Sequence, residues 1–213
     1  VSRARLNLRS AGLNDAGPIA RVHVTTWRAA YAGLVPDTYL VGMTEVGQMR
    51  FWRRLLGRPQ AEETILVAEI ESAASAASAA SAASAASDAN AGGPQVVGFG
   101  SCGPSRPYGL PYGGEVFTLY VTDDWQGRGI GRALIRALFV DLVARGNSDA
   151  LIWVLSANPA RFFYEAVGGS SVAERKEAFA GAMLDETAYA WPDLESWLAI
   201  ARGGAERGRE ARQ

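Results

Sequence analysis

The sequence predicts a single mixed α/β domain. Two kinds of observation predict it: short apolar runs that end at Gly/Pro-rich turns, and segments whose apolar residues return every three or four positions. The chain has 213 residues and is 48% hydrophobic, enough for one sizeable core. Arg5 to Arg9 alternates around Leu6 and Leu8, a short first strand. Asn14 and Asp15 offer caps to a helix whose face carries Ile19, His23, Trp27, Ala30, Tyr31 and Leu34 before Gly33 and Pro36 break it. A second helix is expected over 45–56, with Thr44 as N-cap and Gly57 as stop. Thr64–Ile70 and Gln95–Cys102 read as an antiparallel pair with an enlarged connection. That connection holds a strict three-residue Ser/Ala repeat from Ser72 to Ser87, followed by polar and glycine residues up to Pro94. Alanine and serine supply no apolar stripe, so 72–94 is expected to be a low-complexity insertion in the domain. A loop over 103–114 leads to a strand at Glu115–Val121. A long helix then repeats Ile130, Leu134, Leu138 and Leu142 and stops at Gly146. A strand at Ala150–Leu155, a short helix over about 159–166 and strands near 171–177 and 183–190 complete a domain spanning 1–201. The Gly/Arg/Glu-rich tail at 202–213 is expected to be disordered.

The formal net charge is −1 and there is one cysteine, Cys102. Neither suggests a nucleic-acid binder, and no internal disulfide can form. No apolar run reaches the roughly 20 residues that span a bilayer. The basic start lacks the apolar stretch of a signal peptide. A cytoplasmic protein with no membrane or nucleic-acid partner is the expectation. No His/Cys cluster has metal spacing, so no metal is expected.

The informative segment is the loop Asp123-Asp-Trp-Gln-Gly-Arg-Gly-Ile-Gly-Arg132, between a strand and the long helix. Glycines at 127, 129 and 131 allow close approach of an anion, the helix start offers unpaired N–H groups, and Arg128 and Arg132 add charge. This is a phosphate site by construction. The dinucleotide pattern fails because its third glycine would fall on Arg132, and the P-loop lysine is absent, Lys176 being the only lysine. What fits is Q-x-x-G-x-G over Gln126–Gly131. EVFTLYVTDDWQGRGIGRALI resembles motif A of the GNAT N-acetyltransferases, and Ser156–Gly169 is similar to their motif B. The second match has one residue fewer between Asn158 and Tyr164 than the family pattern, and Gly169 stands where phenylalanine is common. Read without the family, Asn158 is an N-cap, Pro159 the first helical residue and Gly168 a C′ stop, with Phe162, Phe163 and Ala166 at core spacing. HVTTWRAAYAGLVPDTYL, from His23 to Leu40, also resembles the first helices of bacterial members.

The resemblance implies a GNAT fold: one mixed, mostly antiparallel, twisted sheet flanked by helices, with parallel central strands that part to admit coenzyme A. It implies acetyl transfer from acetyl-CoA to a primary amine, small-molecule or protein-borne, by direct attack in a ternary complex; homodimers are common in the family. Cofactor contacts are implied at Leu119, Tyr120, Val121, Gln126, Gly127, Arg128, Gly129, Ile130, Gly131, Arg132, Asn158, Phe163 and Tyr164. Tyr164 is the candidate general acid, because a phenol with a pKa near 10 is protonated at neutral pH; the alternative is a packed helix tyrosine. Glu115 is a candidate base or water holder, against a solvated strand-end carboxylate. Trp27, Tyr31 and Tyr39 are candidates for the acceptor pocket, against core packing. His23, beside Trp27, reads as a satisfied half-buried histidine. Cys102 lacks a nearby histidine partner, and the run Arg50, Arg53, Arg54 and Arg58 reads as a solvated face. A coenzyme-A-binding sensor without catalysis, and an interaction protein using the Ser/Ala segment, are the readings from other classes.

Overall fold

The computed structural model describes residues 5–58, 62–71 and 94–201; the Ser/Ala repeat and the 202–213 tail lie outside them. The strands are β1 (Arg5–Ser10), β2 (Thr64–Glu71), β3 (Gln95–Pro104), β4 (Gly114–Val121), β5 (Ala150–Leu155), β6 (Ser170–Phe179) and β7 (Ala182–Trp191). They form one sheet in the order β1-β2-β3-β4-β5-β7-β6. Every neighbouring pair is antiparallel except β4 with β5. The helices are α1 (Ala16–Ala30), α2 (Asp37–Gly42), α3 (Glu45–Leu56), α4 (Ile130–Ala144), α5 (Arg161–Ala166) and α6 over 194–201.

The two faces of the sheet are covered by different helices, and the apolar spacing decides which side each helix buries. On α4, Ile130, Leu134, Leu138 and Leu142 are buried as expected, joined by Ile135 and Phe139. They pack with Val116, Ile152 and, from α6, Leu194 and Leu198. On the other face, Ile19 and Ala20 of α1 and Trp52 of α3 pack on Val67 and Phe99. Thr44 caps α3 as expected, its Oγ1 accepting from the Gly47 N–H at 3.1 Å.

Several local expectations are corrected. Asp15 does not cap α1. Its carboxylate instead accepts from both terminal nitrogens of Arg9 and from the Gly12 N–H, each at 2.7 Å. Pro36 starts α2 rather than only ending what precedes it. The short helix begins at Arg161 rather than Pro159, and Asn158 caps the turn before it, its Oδ1 accepting from the Ala160 N–H at 2.9 Å. Phe162 is 55% exposed rather than core. Helix α6 was not expected. Its signal is Asp193, which accepts from the Ser196 N–H at 2.9 Å ahead of Leu194 and Leu198.

Candidate active site

The site begins where β4 and β5 separate. Their parallel pairing is limited to Gly114 with Ala150 and Glu115 with Leu151. Just beyond it the β3–β4 register shifts: Cys102 faces Val116 and Ser101 faces Thr118, which leaves Phe117 as an extra residue on β4. A bulge of this kind bends its strand and raises its twist. It also flips the side-chain phase, so that Val116 and Leu119 both pack on the α4 side while Tyr120 turns to the α1 side. The gap that follows is a cavity of about 120 Å³, walled by Leu119 and Tyr120 of β4, Ile152 and Trp153 of β5, Tyr31, Asn158 and Tyr164.

A second hollow, about 390 Å³, runs from this gap to the start of α4. The two share Leu119, Val121, Gln126, Ala160 and Tyr164, so they adjoin along a common wall and together make up the channel of this site. Its far end is the glycine loop. Gly127 and Gly129 have φ of 70° and 83°, a region costly for other residues, and a Cβ on either would meet only open space. The Ala133 N–H bonds the Gly129 carbonyl at 3.0 Å, so the helical N–H groups before it have no intrahelical acceptor. These donors and the positive end of α4 fit a phosphate-bearing ligand. Gly131 serves a different purpose: its Cβ position lies 3.3 Å from Phe163, so its bareness lets α4 and α5 approach.

The expected cofactor residues divide accordingly. Leu119, Tyr120, Val121, Gln126, Gly127, Gly129, Gly131, Arg132, Asn158, Phe163 and Tyr164 line one or other part of the channel. Gln126 also ties the loop back, donating to the Val121 carbonyl at 3.0 Å and to Asp123 at 2.9 Å. Ile130 lines the channel too, although its side chain is 3% exposed and packs in the core. Arg128 is not in the wall, and its guanidinium lies 4.7 Å over the Trp125 ring.

On the acceptor side, Tyr31 is in the cavity wall. Trp27 stands behind it, its Nε1 donating to the Tyr120 hydroxyl at 3.0 Å. Tyr39 lies farther out, 4.6 Å from the ring of Phe179 at the β6–β7 turn, which also approaches Trp27 at 5.9 Å. Three rings expected in the acceptor region are therefore brought together, with only Tyr31 in direct contact with the cavity. Sequence reasoning missed Thr26, Phe117 and Trp153 in the wall. The facing of Phe117 and Trp153 depends on the bulge and on the strand separation, neither of which leaves a mark in residue type; Thr26 comes from α1.

Tyr164 is 5% exposed, and burial pushes its phenol above the ordinary range, so it is protonated at neutral pH. Glu115 is redirected. It is fully buried at the last paired position and absent from the cavity wall. Its carboxylate accepts from the Arg106 backbone N–H at 2.9 Å and from the Arg106 guanidinium, Nε at 3.0 Å. A carboxylate held this way anchors the 105–113 loop. His23 accepts from Trp52 Nε1 at 3.1 Å on its Nδ1, and burial lowers its pKa to about 4. Burial pushes the Cys102 thiol up to about 12, which removes it as a nucleophile. Arg50, Arg53, Arg54 and Arg58 are exposed. Among the described residues no group of three His, Cys, Asp or Glu could hold a metal ion, and no helix is long and apolar enough to cross a membrane.

The FR47-like protein family matches residues 109–178, which contain β4, the glycine loop, α4, β5 and α5. The N-acetyltransferase YuaI of Bacillus subtilis is 30% identical over 191 residues, covering 90% of this chain and 95% of that protein. The chain belongs to the GNAT N-acetyltransferases. Solved members of the GNAT fold agree with the architecture. A GCN5-related N-acetyltransferase of Rhodopseudomonas palustris superposes with TM-score 0.58 at 22% identity over 89% of this chain and 97% of that one. PaiA of Thermoplasma acidophilum, solved with coenzyme A, gives 0.58 at 16% over 85% and 98%. yncA of Salmonella typhimurium, solved with acetyl-CoA, gives 0.56 at 20% over 89% and 94%. At these identities the likeness to the solved structures is one of fold. As a GNAT enzyme the chain is an acetyltransferase.

Proposed function

We propose that the chain transfers the acetyl group of acetyl-CoA to a primary amine by direct attack within a ternary complex. The observation that carries this reading is the pair of adjoining hollows from the α4 N-terminus to Tyr164, with phosphate-type donors at one end and a buried phenol at the other. The coenzyme A and acetyl-CoA held by PaiA and yncA support the choice of cosubstrate.

When bound, the coenzyme supplies a thioester as acyl donor. The N–H groups at the start of α4, with Gly127 and Gly129, bind pyrophosphate. Leu119 and Val121 present the splayed edge of β4 along the channel, where backbone groups released from pairing can bond the pantetheine arm. Phe163 and Ala160 close it from α5 and the turn before it. Tyr164 holds a proton at its hydroxyl beside the departing sulfur; the same dry surroundings that raise its pKa also raise that of the thiol. Tyr31, with Trp27 and Tyr39 behind and beyond it, forms the amine side. Neither His23, neutral and engaged, nor Glu115, tied to Arg106, is in the cavity wall, where Asp123 is the carboxylate. The amine proton leaves through water at that wall.

Replacing Tyr164 with phenylalanine keeps the ring and removes only the proton donor. Acid–base assistance is worth about 10²–10⁴-fold. Tyr164→Phe should lower kcat within that range while calorimetric affinity for acetyl-CoA stays nearly intact. The loss should shrink with acetyl thioesters of more acidic thiols. Full activity in the variant, or an equal loss for every donor, would assign Tyr164 to packing.

A further inference from the structure

Three phenols converge on the cavity from three elements: Tyr31 at the end of α1, Tyr120 on β4 and Tyr164 on α5. Tyr164 already has a role, and the arrangement of the other two is directional. The Tyr120 hydroxyl accepts from Trp27 Nε1 at 3.0 Å. Indole N–H is a donor only, so the phenol's single proton must go elsewhere. Its neighbour in the cavity wall is Tyr31, and Asn158 lines the same wall. Asn158 is 4% exposed and spends its Oδ1 on the Ala160 N–H at 2.9 Å. That leaves its amide nitrogen, a donor, for Tyr31. The Tyr120 proton and the Asn158 amide are thus the donors at hand for the Tyr31 oxygen, and the Tyr31 proton is left to the cavity. Trp27 and Tyr31 are one helical turn apart, with the Tyr31 N–H on the Trp27 carbonyl at 3.0 Å and their rings 4.5 Å apart. The relay is therefore fixed by the last turn of α1.

We propose that Tyr31 is a second catalytic hydroxyl, donating a hydrogen bond to the acyl oxygen of the bound thioester, with Tyr120 and Trp27 as positioning residues behind it. This rests on the acetyl-transfer reading above. The amine nitrogen forms the bond to the acyl carbon and the carbonyl electron pair moves onto oxygen. As that pair returns, the carbon–sulfur bond breaks and sulfur takes the Tyr164 proton. The proton lost from nitrogen goes to water and thence restores Tyr164. Tyr31 keeps its own proton throughout and acts by meeting charge where it develops, in a cavity little reached by water. Hydrogen bonds arranged in sequence polarise one another, so the Trp27 and Tyr120 links strengthen the last donor.

Two measurements test this. The first is the infrared carbonyl stretch of acetyl-CoA labelled with ¹³C at the acyl carbon. Binding to the wild type should lower the frequency, Tyr31→Phe should remove most of that shift, and Tyr164→Phe should leave it. The second is rate, read as thiol release with whichever of spermidine, 2-phenylethylamine, L-lysine or an alanine-led peptide is acetylated fastest. If none of them turns over, acetyl-CoA hydrolysis serves, since it passes through the same charged oxygen. Tyr31→Phe should cost about 10²-fold in kcat, with acetyl-CoA affinity within a few-fold, and the loss should persist with more acidic leaving thiols. Tyr120→Phe should cost about tenfold alone and nothing further in a Tyr31→Phe background. An unchanged carbonyl shift in Tyr31→Phe, or an equal cost of Tyr120→Phe in both backgrounds, overturns the proposal. A wild-type protein that does not bind acetyl-CoA would instead overturn the reading on which it rests.

Discussion

His23 shows how one residue's surroundings decide its chemistry. The chain's single histidine sits among Trp27, Trp52, Phe99 and Tyr120, with ring centroids between 5.5 and 6.0 Å away. It is 9% exposed, and burial holds its pKa near 4 against an ordinary 6.5. Below pH 6.5 the unfolded chain takes up a proton that the folded chain refuses, so stability falls as pH drops from 6.5 towards 4. At pH 5 this amounts to about 2 kcal/mol. Urea unfolding should show a loss of that order between pH 7 and pH 5, and His23→Gln should lose much less over the same interval. An identical loss in the variant would mean that another group titrates there. At lower pH a second contribution goes. Asp15 is held below its usual range by its hydrogen bonds to Arg9, so its stabilisation is present above the unfolded carboxylate pKa and disappears as pH falls through the lower folded value.

Helix α4 and strand β4 carry the element-scale argument. The helix was legible because Ile130, Leu134, Leu138 and Leu142 repeat at helical spacing, and the fold buries all four. Leu138 is fully buried against the central strands. Leu138→Ala should therefore destabilise by about 2–5 kcal/mol in denaturant titration; a cost below about 1 kcal/mol would contradict this packing. Strand β4 was legible as a strand but not as a bent one. Phe117 reads as an ordinary β residue, and its bulge exists because the partner β3 skips a position between Ser101 and Cys102. The consequences for Tyr120, Phe117 and Trp153 were therefore invisible. So was the fate of Glu115, whose partner Arg106 comes from a loop that composition alone leaves without contacts. Glycine positions were the reverse case: residues 127 and 129 announced the loop directly, because positive φ and close approach demand that residue type.

At the scale of the whole molecule, the antiparallel pairing of β2 with β3 was legible in the order of elements and the parallel contact of β4 with β5 was implied by the resemblance, while the insertion between β2 and β3 is a feature of sequence alone. Ile70 pairs with Gln95, so the insertion leaves and re-enters the sheet at neighbouring strand ends. A connection between neighbouring strand ends adds closure entropy that grows only slowly with length. Replacing residues 72–91 with a short Gly-Asn turn should leave the melting temperature and acetyl transfer nearly unchanged. A large drop in either would show that the segment packs on the domain or serves a partner. The central claim concerns the other end of the molecule, where α4 meets the channel. Gly129 is the N-cap of α4, and its Cβ position opens into free space at the channel's phosphate end. Aspartate is a good N-cap and tolerates left-handed backbone better than most residues, so Gly129→Asp should keep the fold. Its carboxylate would stand where the pyrophosphate charge is received. Titration calorimetry of acetyl-CoA into the two proteins is the most direct measurement. The account predicts that binding seen in the wild type is weakened at least about 100-fold, or lost, in Gly129→Asp, with the melting temperature lowered by no more than about 5 °C. Equal affinity in both proteins would contradict it.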